Sequence, residues 1–194
     1  GACAYSTDEF LSSLQIPKNL KIAVMINAAE LIRDKSEKKN IIALKTLFKK
    51  SKFSKIKLVR IASHFSEIHR VIPIADKIKA LGYKIAINLM QISDRTDKEI
   101  KEFCDLAKKI NIETIYFADS TGSLDSEQTL KITKNFRKYW KKNLGIHAHD
   151  NMDKAMENAM VALNSGVNWI DSTVLGMGRG PGNVKTENLV LELE

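Results

Sequence analysis

The fold class is decided by residues 84–118, KIAINLMQISDRTDKEIKEFCDLAKKINIETIYFA. Apolar runs at its two ends, residues 84–90 and 114–118, are rich in β-branched side chains and predict buried strands. Between them, Thr96 and Glu99 form the Thr-x-x-Glu signature of a capped helix, which continues to Ile110. The stretch therefore predicts a unit of strand, helix and strand.

The same unit repeats along the chain. Further apolar runs cover residues 20–26, 56–62, 144–149 and 167–174, which makes six predicted strands. Gly82 and Gly166 each follow a predicted helix, at a position that favours a left-handed cap. Apolar strands that alternate with helices predict an α/β fold with a parallel sheet. Periodicity alone allows either a closed barrel or an open doubly wound sheet.

The length of the chain bounds the architecture. Its 194 residues, of which 44% are hydrophobic, suffice for one sizeable core, so we expect a single domain over residues 1–194. A complete TIM (β/α)₈ barrel has eight strands in typically about 250 residues. If the sheet is closed, six strands in this length predict an incomplete barrel.

Composition argues against several classes of protein. No run approaches the roughly 20 apolar residues of a membrane span, and the first residues lack the features of a signal peptide, so we expect a cytoplasmic protein. The net charge is +8, but the lysines are mixed with acidic and apolar residues, which indicates solvated helix exteriors rather than a nucleic-acid surface. Cys3 and Cys104 stand far apart and predict neither a disulfide framework nor a metal site.

The strongest chemical signal is Gly145-Ile146-His147-Ala148-His149-Asp150, at the end of the fifth predicted strand. Side chains two residues apart in a strand share a face, so His147 and His149 would project together. They could ligate one divalent ion if a carboxylate completed the site. The alternative is two polar residues at a strand end. The apolar strand around them, whose carboxyl end faces the usual active-site side of a barrel, favours the metal site.

A glycine-rich run, GMGRGPGN at residues 176–183, follows the sixth predicted strand. Its four glycines would let the backbone approach a ligand and present N–H groups to anionic oxygens. By itself the run is weak evidence and equally describes a flexible loop. Its place after the histidine strand favours a ligand-binding loop.

Two further pairs of polar residues follow predicted strands, namely Asp119 with Ser120 and His64 with Glu67, and a third pair, Asn88 with Gln91, interrupts the apolar strand at residues 87–92. The first pair could bind a substrate acid or orient a ligand histidine, although an ordinary turn is the simpler alternative. We favour a surface or capping role for the second pair. For the third pair, which interrupts the apolar residues 87–92, ligand contact and core hydrogen bonding both remain open.

Taken together, GIHAHD, FADSTG and the run from DST to GMGRGPGN resemble a superfamily of metal-dependent lyases and synthases, the HMG-CoA lyase-like or DRE-TIM metallolyase proteins. That superfamily contains 4-hydroxy-2-oxovalerate aldolase, hydroxymethylglutaryl-CoA lyase and isopropylmalate synthase. The aldolase branch is the most similar, because KIA, VRIASH, NLM, DS-x-G, HAH and GMG-x-G-x-GN occur in its order across nearly the whole chain. Agreement in order over this length is more specific than any one motif.

The resemblance implies a TIM barrel whose visible strands are strands three to eight of eight. In the family the first strand supplies a metal-binding Asp, an Arg that polarises the substrate and, in the aldolases, a nearby catalytic His. We therefore expect the catalytic Arg and His to lie outside this chain, and this fragment alone to be inactive.

By the same resemblance, His147 and His149 would bind the metal, Ser120 and His147 would contact the pyruvate-like part of the substrate, and Asn183 would ligate or border the metal. The run of residues 176–183 contains no cysteine, which disfavours the cysteine-dependent chemistry of the acyl-CoA lyases. Asp150 stands where the aldolases commonly have His or Asn, so the substrate remains open.

The implied function is divalent-metal-dependent cleavage of a 4-hydroxy-2-oxoacid to pyruvate and an aldehyde through a stabilised enolate. Mn²⁺ is the favoured ion, with Mg²⁺, Zn²⁺ and Co²⁺ as alternatives. A Claisen-type acyl-CoA lyase or synthase and an inactive barrel fragment are the competing hypotheses. Implied partners are a small oxoacid, an aldehyde dehydrogenase for the full-length protein and a second copy of the chain, with neither nucleic acid nor membrane.

Overall fold

The structure is a computed structural model that describes residues 7–194, and the chain divides into two compact units, residues 1–87 and 88–194. The strands are β1 (Ile22–Asn27), β2 (Ile56–Ser63), β3 (Lys84–Leu89), β4 (Thr114–Asp119), β5 (Asn143–Ala148) and β6 (Trp169–Ile170). The α-helices are α1 (Thr7–Ser13), α2 (Ala28–Leu31), α3 (Glu37–Leu47), α4 (Ile68–Ala80), α5 (Asp97–Lys109), α6 (Ser126–Tyr139), α7 (Ala155–Asn164) and α8 (Thr186–Leu193). Within the described residues, no helix has the length and apolar character to cross a bilayer.

The alternation of strands and helices predicted from the sequence is confirmed. Five predicted strands agree with the structure to within two residues at either end. The sixth is wrong in extent, because only Trp169–Ile170 forms a strand where residues 167–174 were expected. At Thr173 the chain no longer pairs with β5. The amide of Thr173 instead donates to the carbonyl of Val184 at 2.9 Å.

In the first unit, β1 and β2 pair in parallel, with Ile26 opposite Ile61. Strand β2 is almost entirely buried, whereas β1 alternates between partly buried and exposed residues. Helix α4 packs on β2 and buries Val71, Ala75 and Ile78, which are spaced to share one helix face. After α4, Gly82 has a φ of +94°, which confirms the predicted left-handed helix end.

In the second unit, β5 pairs in parallel with β4 on one side and with β6 on the other. The register places Gly145 opposite both Tyr116 and Trp169. A Cβ at Gly145 would come within 2.3 Å of the Tyr116 ring, so the aromatic side chain can lie over β5 only because position 145 is glycine. Strands β4 and β5 are thereby held in close contact beneath their carboxyl ends.

Two helices of the second unit, α5 and α6, begin at capping boxes. At the start of α5, the Thr96 hydroxyl accepts from the Glu99 amide at 3.3 Å and the Glu99 carboxylate accepts from the Thr96 amide at 2.8 Å, as predicted. Asp125 and Gln128 form a second box before α6, which sequence reasoning missed. After α7, Gly166 has a φ of +111° and confirms the second predicted cap.

The guanidinium of Arg137 joins three turns of the second unit. Its Nε donates to the carbonyl of Gly166 at 2.9 Å, and its Nη1 donates to the carbonyls of Lys142 at 2.6 Å and Trp140 at 3.3 Å. Burial lowers the pKa of Arg137 from its ordinary value, but an arginine remains charged throughout the physiological range. One side chain thus ties the end of α6 to the loop before β5 and to the cap of α7.

We expect Arg137→Ala to lower the free energy of unfolding by about 1–3 kcal/mol, because the substitution removes hydrogen bonds from a charged donor. Arg137→Lys should lower the free energy of unfolding by less, since lysine keeps the charge but lacks the planar set of N–H donors. Urea unfolding of both variants measures the effect, with the exposed Arg33→Ala as the control. Equal stability of the Arg137→Ala and Arg33→Ala proteins would contradict the bracing role.

The thiol of Cys104 lies on the buried face of α5. Burial raises the pKa of Cys104 to about 12. At pH 8.5 only about one thiol in three thousand would then be ionised, and the thiolate is the reactive form. Cys3 lies outside the described residues.

We therefore expect iodoacetamide at pH 8.5 to leave Cys104 unmodified in the folded protein and to alkylate it in denaturant. Peptide mass spectrometry measures this residue separately from Cys3. Alkylation of Cys104 at the same rate with and without denaturant would show that α5 does not bury it.

Candidate functional site

Two imidazoles lie side by side at the carboxyl end of β5. The ring centroids of His147 and His149 are 5.1 Å apart, and the ring planes cross at 85°. Both side chains are partly buried. The prediction that this pair shares one face of the strand is confirmed.

The partner of His147 is Asp171. Its carboxylate Oδ2 lies 2.8 Å from Nδ1 of His147. Strand register explains the contact, because Ile146 pairs with Ile170 and the next residues along each chain are therefore neighbours. An accepting carboxylate places the ring proton on Nδ1, which leaves the lone pair of Nε2 available to a ligand. Sequence reasoning quoted Asp171 within the DST motif but assigned it no role.

His149 lies beside the glycine-rich loop, because its backbone forms an isolated bridge with Asn183. The pKa of His149 lies below its usual value, chiefly because burial disfavours the charged ring and secondly because of the charge of His147. The charge of Arg179 lowers it further, against the opposing effects of Asp119 and of the Arg179 backbone. A lowered pKa keeps the imidazole neutral near pH 7, which is the form that binds a metal ion.

Ser120 is the first residue after β4. The pairing of β4 with β5 ends at Asp119 opposite Ala148, one residue beyond the pair Ala118 and His147. The Ser120 hydroxyl accepts from the amide of Gln91 at 3.2 Å, which leaves its own proton free to donate. Gln91 lies beyond the end of β3 with a φ of +55°, so the expectation that it belongs to the strand is wrong.

Asn183 lies against the end of β5, where it forms an isolated antiparallel bridge with His149. The side-chain nitrogen of Asn183 donates to the carbonyl of Ala148 at 3.1 Å, which leaves the amide oxygen as the only atom that could ligate a cation. That oxygen packs beside Gly178, where a Cβ would come within 2.2 Å of it. The glycine-rich loop is therefore closely packed around Asn183.

Two carboxylates near the histidines have structural roles. Asp119 is buried, and its two oxygens accept from the amides of Ser123 at 3.1 Å and Leu124 at 3.0 Å. Of the two alternatives for Asp119, the structure therefore supports the turn. Asp150 accepts from the amide of Ala155 at 2.9 Å, at the start of α7.

The remaining sequence candidates have local roles or lie in the interior. In the first unit, the carboxylate of Glu67 accepts from the amide of His64 at 2.9 Å, which confirms the capping role favoured for this pair. Asn88 lies in β3 and is buried, as expected of a polar residue within the core. We assign neither group to the histidine site.

The donor set fits part of a metal site. Nδ1 of His147 is engaged by Asp171, which leaves its Nε2 for a cation, and the ring of His149 lies beside it. Across residues 7–194, however, no cluster of three or more His, Cys, Asp and Glu side chains is arranged to hold a metal ion. Two imidazoles are too few for a divalent ion, so further ligands are needed.

Comparison with known proteins places these residues in context. The HMGL-like family model matches residues 7–194. A 4-hydroxy-2-oxovalerate aldolase of Brevibacillus brevis is 31% identical over 137 residues, which are 71% of this chain and 40% of that protein. An oxaloacetate decarboxylase of Mycobacterium tuberculosis is 26% identical over 136 residues, 70% of this chain and 40% of that protein. The chain thus spans about 40% of the length of these curated relatives.

A solved structure shares the fold. The N-terminal domain of a candidate aldolase from Bacteroides vulgatus superposes with a TM-score of 0.80 at 28% identity, over 100% of this chain and 62% of that one. The α/β TIM-barrel class expected from the sequence is thereby confirmed, with six of its strands present in the described residues.

The contact between Asp171 and His147 leads to a graded expectation. Asp171→Ala should weaken Mn²⁺ or Co²⁺ binding by about 10–100-fold, because the ring loses the acceptor that orients it. The metal affinity of Asp171→Asn should lie between those of the native protein and of Asp171→Ala, since an amide oxygen still accepts a hydrogen bond but carries no charge.

Metal affinity is measured by competition with a chelator in the complete protein, with Asp153→Asn as the control on an exposed turn. Metal affinity within twofold of native in both Asp171 variants would rule out this orienting role.

Proposed function

Because this chain belongs to the HMGL-like family, we propose that the whole protein is a divalent-metal-dependent aldolase that cleaves a 4-hydroxy-2-oxoacid to pyruvate and an aldehyde. The name of the Brevibacillus brevis relative supports the carbon–carbon lyase class. The single observation that carries the proposal is the pair His147 and His149, adjacent on one face, with Nε2 of His147 not engaged by Asp171. The family model runs from residue 7 to residue 194, and we accordingly propose one domain.

The residues proposed to hold the ion are His147 and His149, with the amide oxygen of Asn183 as a third donor. A carboxylate from a part of the whole protein outside residues 7–194 would complete the set. Mn²⁺ is the favoured ion, since imidazole with carboxylate and amide oxygens suits it, and Mg²⁺, Zn²⁺ or Co²⁺ are alternatives. When bound, the ion would act as a Lewis acid that stabilises negative charge on the substrate oxygens.

The remaining residues would bind and orient the substrate. The free proton of the Ser120 hydroxyl can donate to a carboxylate or oxo oxygen beside His149. Asp171 would orient the ring of His147 through Nδ1, so that Nε2 stays available to the ion. The packed loop around Gly178 and Asn183 would exclude water from one side of the site.

The proposed reaction balances without a redox partner. A base removes the proton of the 4-hydroxyl group, the C3–C4 bond breaks, and C4 leaves as the aldehyde carbonyl. The electron pair of that bond remains with C3 as the enolate of pyruvate, which then takes a proton at C3. Each carboxylate near the histidines already accepts a hydrogen bond from the protein, so we propose that the base comes from a part of the whole protein outside the described residues.

A second candidate reaction is supported by a separate observation. The Mycobacterium tuberculosis relative is named an oxaloacetate decarboxylase. Loss of CO₂ from oxaloacetate leaves the same pyruvate enolate, so the same residues would serve. A Claisen-type reaction on an acyl-CoA would share the enolate as well, and a strict requirement for a thioester would reveal it. The full-length protein would bind a small oxoacid as its substrate. Its proposed protein partners are a dehydrogenase that consumes the aldehyde and a second copy of the chain.

We expect the complete protein to release pyruvate from 4-hydroxy-2-oxopentanoate in the presence of Mn²⁺ and to stop when a chelator is added. His147→Ala should reduce kcat/KM by at least about 100-fold, because one ligand of the ion is lost. Lactate dehydrogenase with NADH measures the pyruvate, and the exposed His69→Ala is the control.

Pyruvate release that resists the chelator would contradict the role of the metal. If the protein binds Mn²⁺ but releases no pyruvate from this compound, the aldolase proposal fails, and oxaloacetate and acyl-CoA substrates are tested next.

A further inference from the structure

Arg179 is the only charged residue in the glycine-rich loop, residues 176–183. Its neighbours in sequence, Gly178 and Gly180, have no side chains. The carbonyl of Arg179 accepts from the amide of Gly182 at 3.2 Å, and the carbonyl of Gly182 accepts from the amide of Asp150, the residue after His149, at 3.0 Å. The residue is therefore held at the edge of the histidine site by its backbone, while its side chain is exposed.

The carboxylates in this part of the second unit are already engaged. Both oxygens of Asp119 accept from backbone amides, Asp150 caps the start of α7, and Asp171 contacts His147. Glu187, which follows the loop, accepts from the amide of Leu175 through both of its oxygens. Among the described residues, no carboxylate forms an ion pair with Arg179. Its positive charge is left without a counterion from the described residues.

The loop that carries Arg179 also contacts the site itself, because Asn183 forms a bridge with His149 and its amide oxygen packs beside Gly178. A guanidinium matches the two oxygens of a carboxylate or phosphate with parallel N–H donors. An alcohol or a methyl group offers no such match. The part of the substrate that reaches Arg179 is therefore expected to be anionic.

We propose that Arg179 determines specificity by binding an anionic group at the end of the substrate remote from the 2-oxoacid group. The substrates would then be 2-oxoacids that carry a second carboxylate or a phosphate, and cleavage would release pyruvate together with an anionic aldehyde. For the five-carbon dicarboxylate 4-hydroxy-2-oxoglutarate, that aldehyde is glyoxylate. This inference rests on the proposed function, because it requires the 2-oxoacid group to bind beside His147 and His149.

The test compares the binding of 2-oxoglutarate and 2-oxopentanoate to the complete protein loaded with Mn²⁺. Both compounds have five carbons and lack the 4-hydroxyl group, so they bind without retro-aldol cleavage and differ only in a terminal carboxylate or methyl group. Isothermal titration calorimetry measures both dissociation constants. We expect 2-oxoglutarate to bind at least about tenfold more tightly, a modest ratio because the arginine is exposed and partly screened by water.

Arg179→Ala should bring the two affinities to within about threefold of each other, with little change for 2-oxopentanoate, since only the terminal anion loses its partner. Arg179→Lys should retain part of the preference for 2-oxoglutarate, because lysine keeps the charge but lacks the parallel N–H donors of the guanidinium. The exposed Arg33→Ala is the matched control and should leave the ratio at its native value. A phosphonate in place of the terminal carboxylate distinguishes a phosphate-bearing substrate from a dicarboxylate, and tighter binding of either supports the proposal.

Equal binding of the two oxoacids to the native protein would overturn this inference, as would a preference that survives Arg179→Ala or the absence of binding by either compound. Pyruvate release from 4-hydroxy-2-oxopentanoate separates this failure from that of the proposed function. If cleavage persists without a preference for anionic ends, only the role of Arg179 is wrong.

Discussion

The parallel register of β4, β5 and β6 is the constraint on which the rest of the site depends. It aligns Ala118 with His147, and it brings Asp171 beside the same histidine. A slip of one residue between β5 and β6 would turn the carboxylate to the opposite face of the sheet and leave the ring without its partner. Strand pairing therefore fixes which nitrogen of His147 carries its proton.

One row below the histidines, aromatic packing supports this register. Tyr116 lies over Gly145, and its ring meets that of Trp169 edge to face with 6.3 Å between centroids. The three residues pair across β4, β5 and β6, and any side chain at position 145 would displace the tyrosine. The close contact of the strands and the placement of the histidines thus have a common cause.

The charge balance of the site follows from the contacts that its acidic residues make within the chain. Asp119 stabilises the turn after β4, Asp150 stabilises the start of α7, and Asp171 orients an imidazole. Each carboxylate serves the protein itself, so the exposed positive charge of Arg179 is not neutralised by the described chain. A guanidinium without a counterion favours anionic ligands, because its charge gains energy from negative charge.

The sequence by itself determined the alternation of strands and helices, the capped start of α5 and the shared face of His147 and His149. Each of these is a property of residues close together in the chain, where periodicity and capping chemistry operate. Only the tertiary structure decided that Asp171 contacts His147, that Asn183 pairs with His149 and that the last strand ends at Ile170. His147 and Asp171 are 24 residues apart, and such contacts depend on strand register and on the path of the returning loop, which no local pattern encodes.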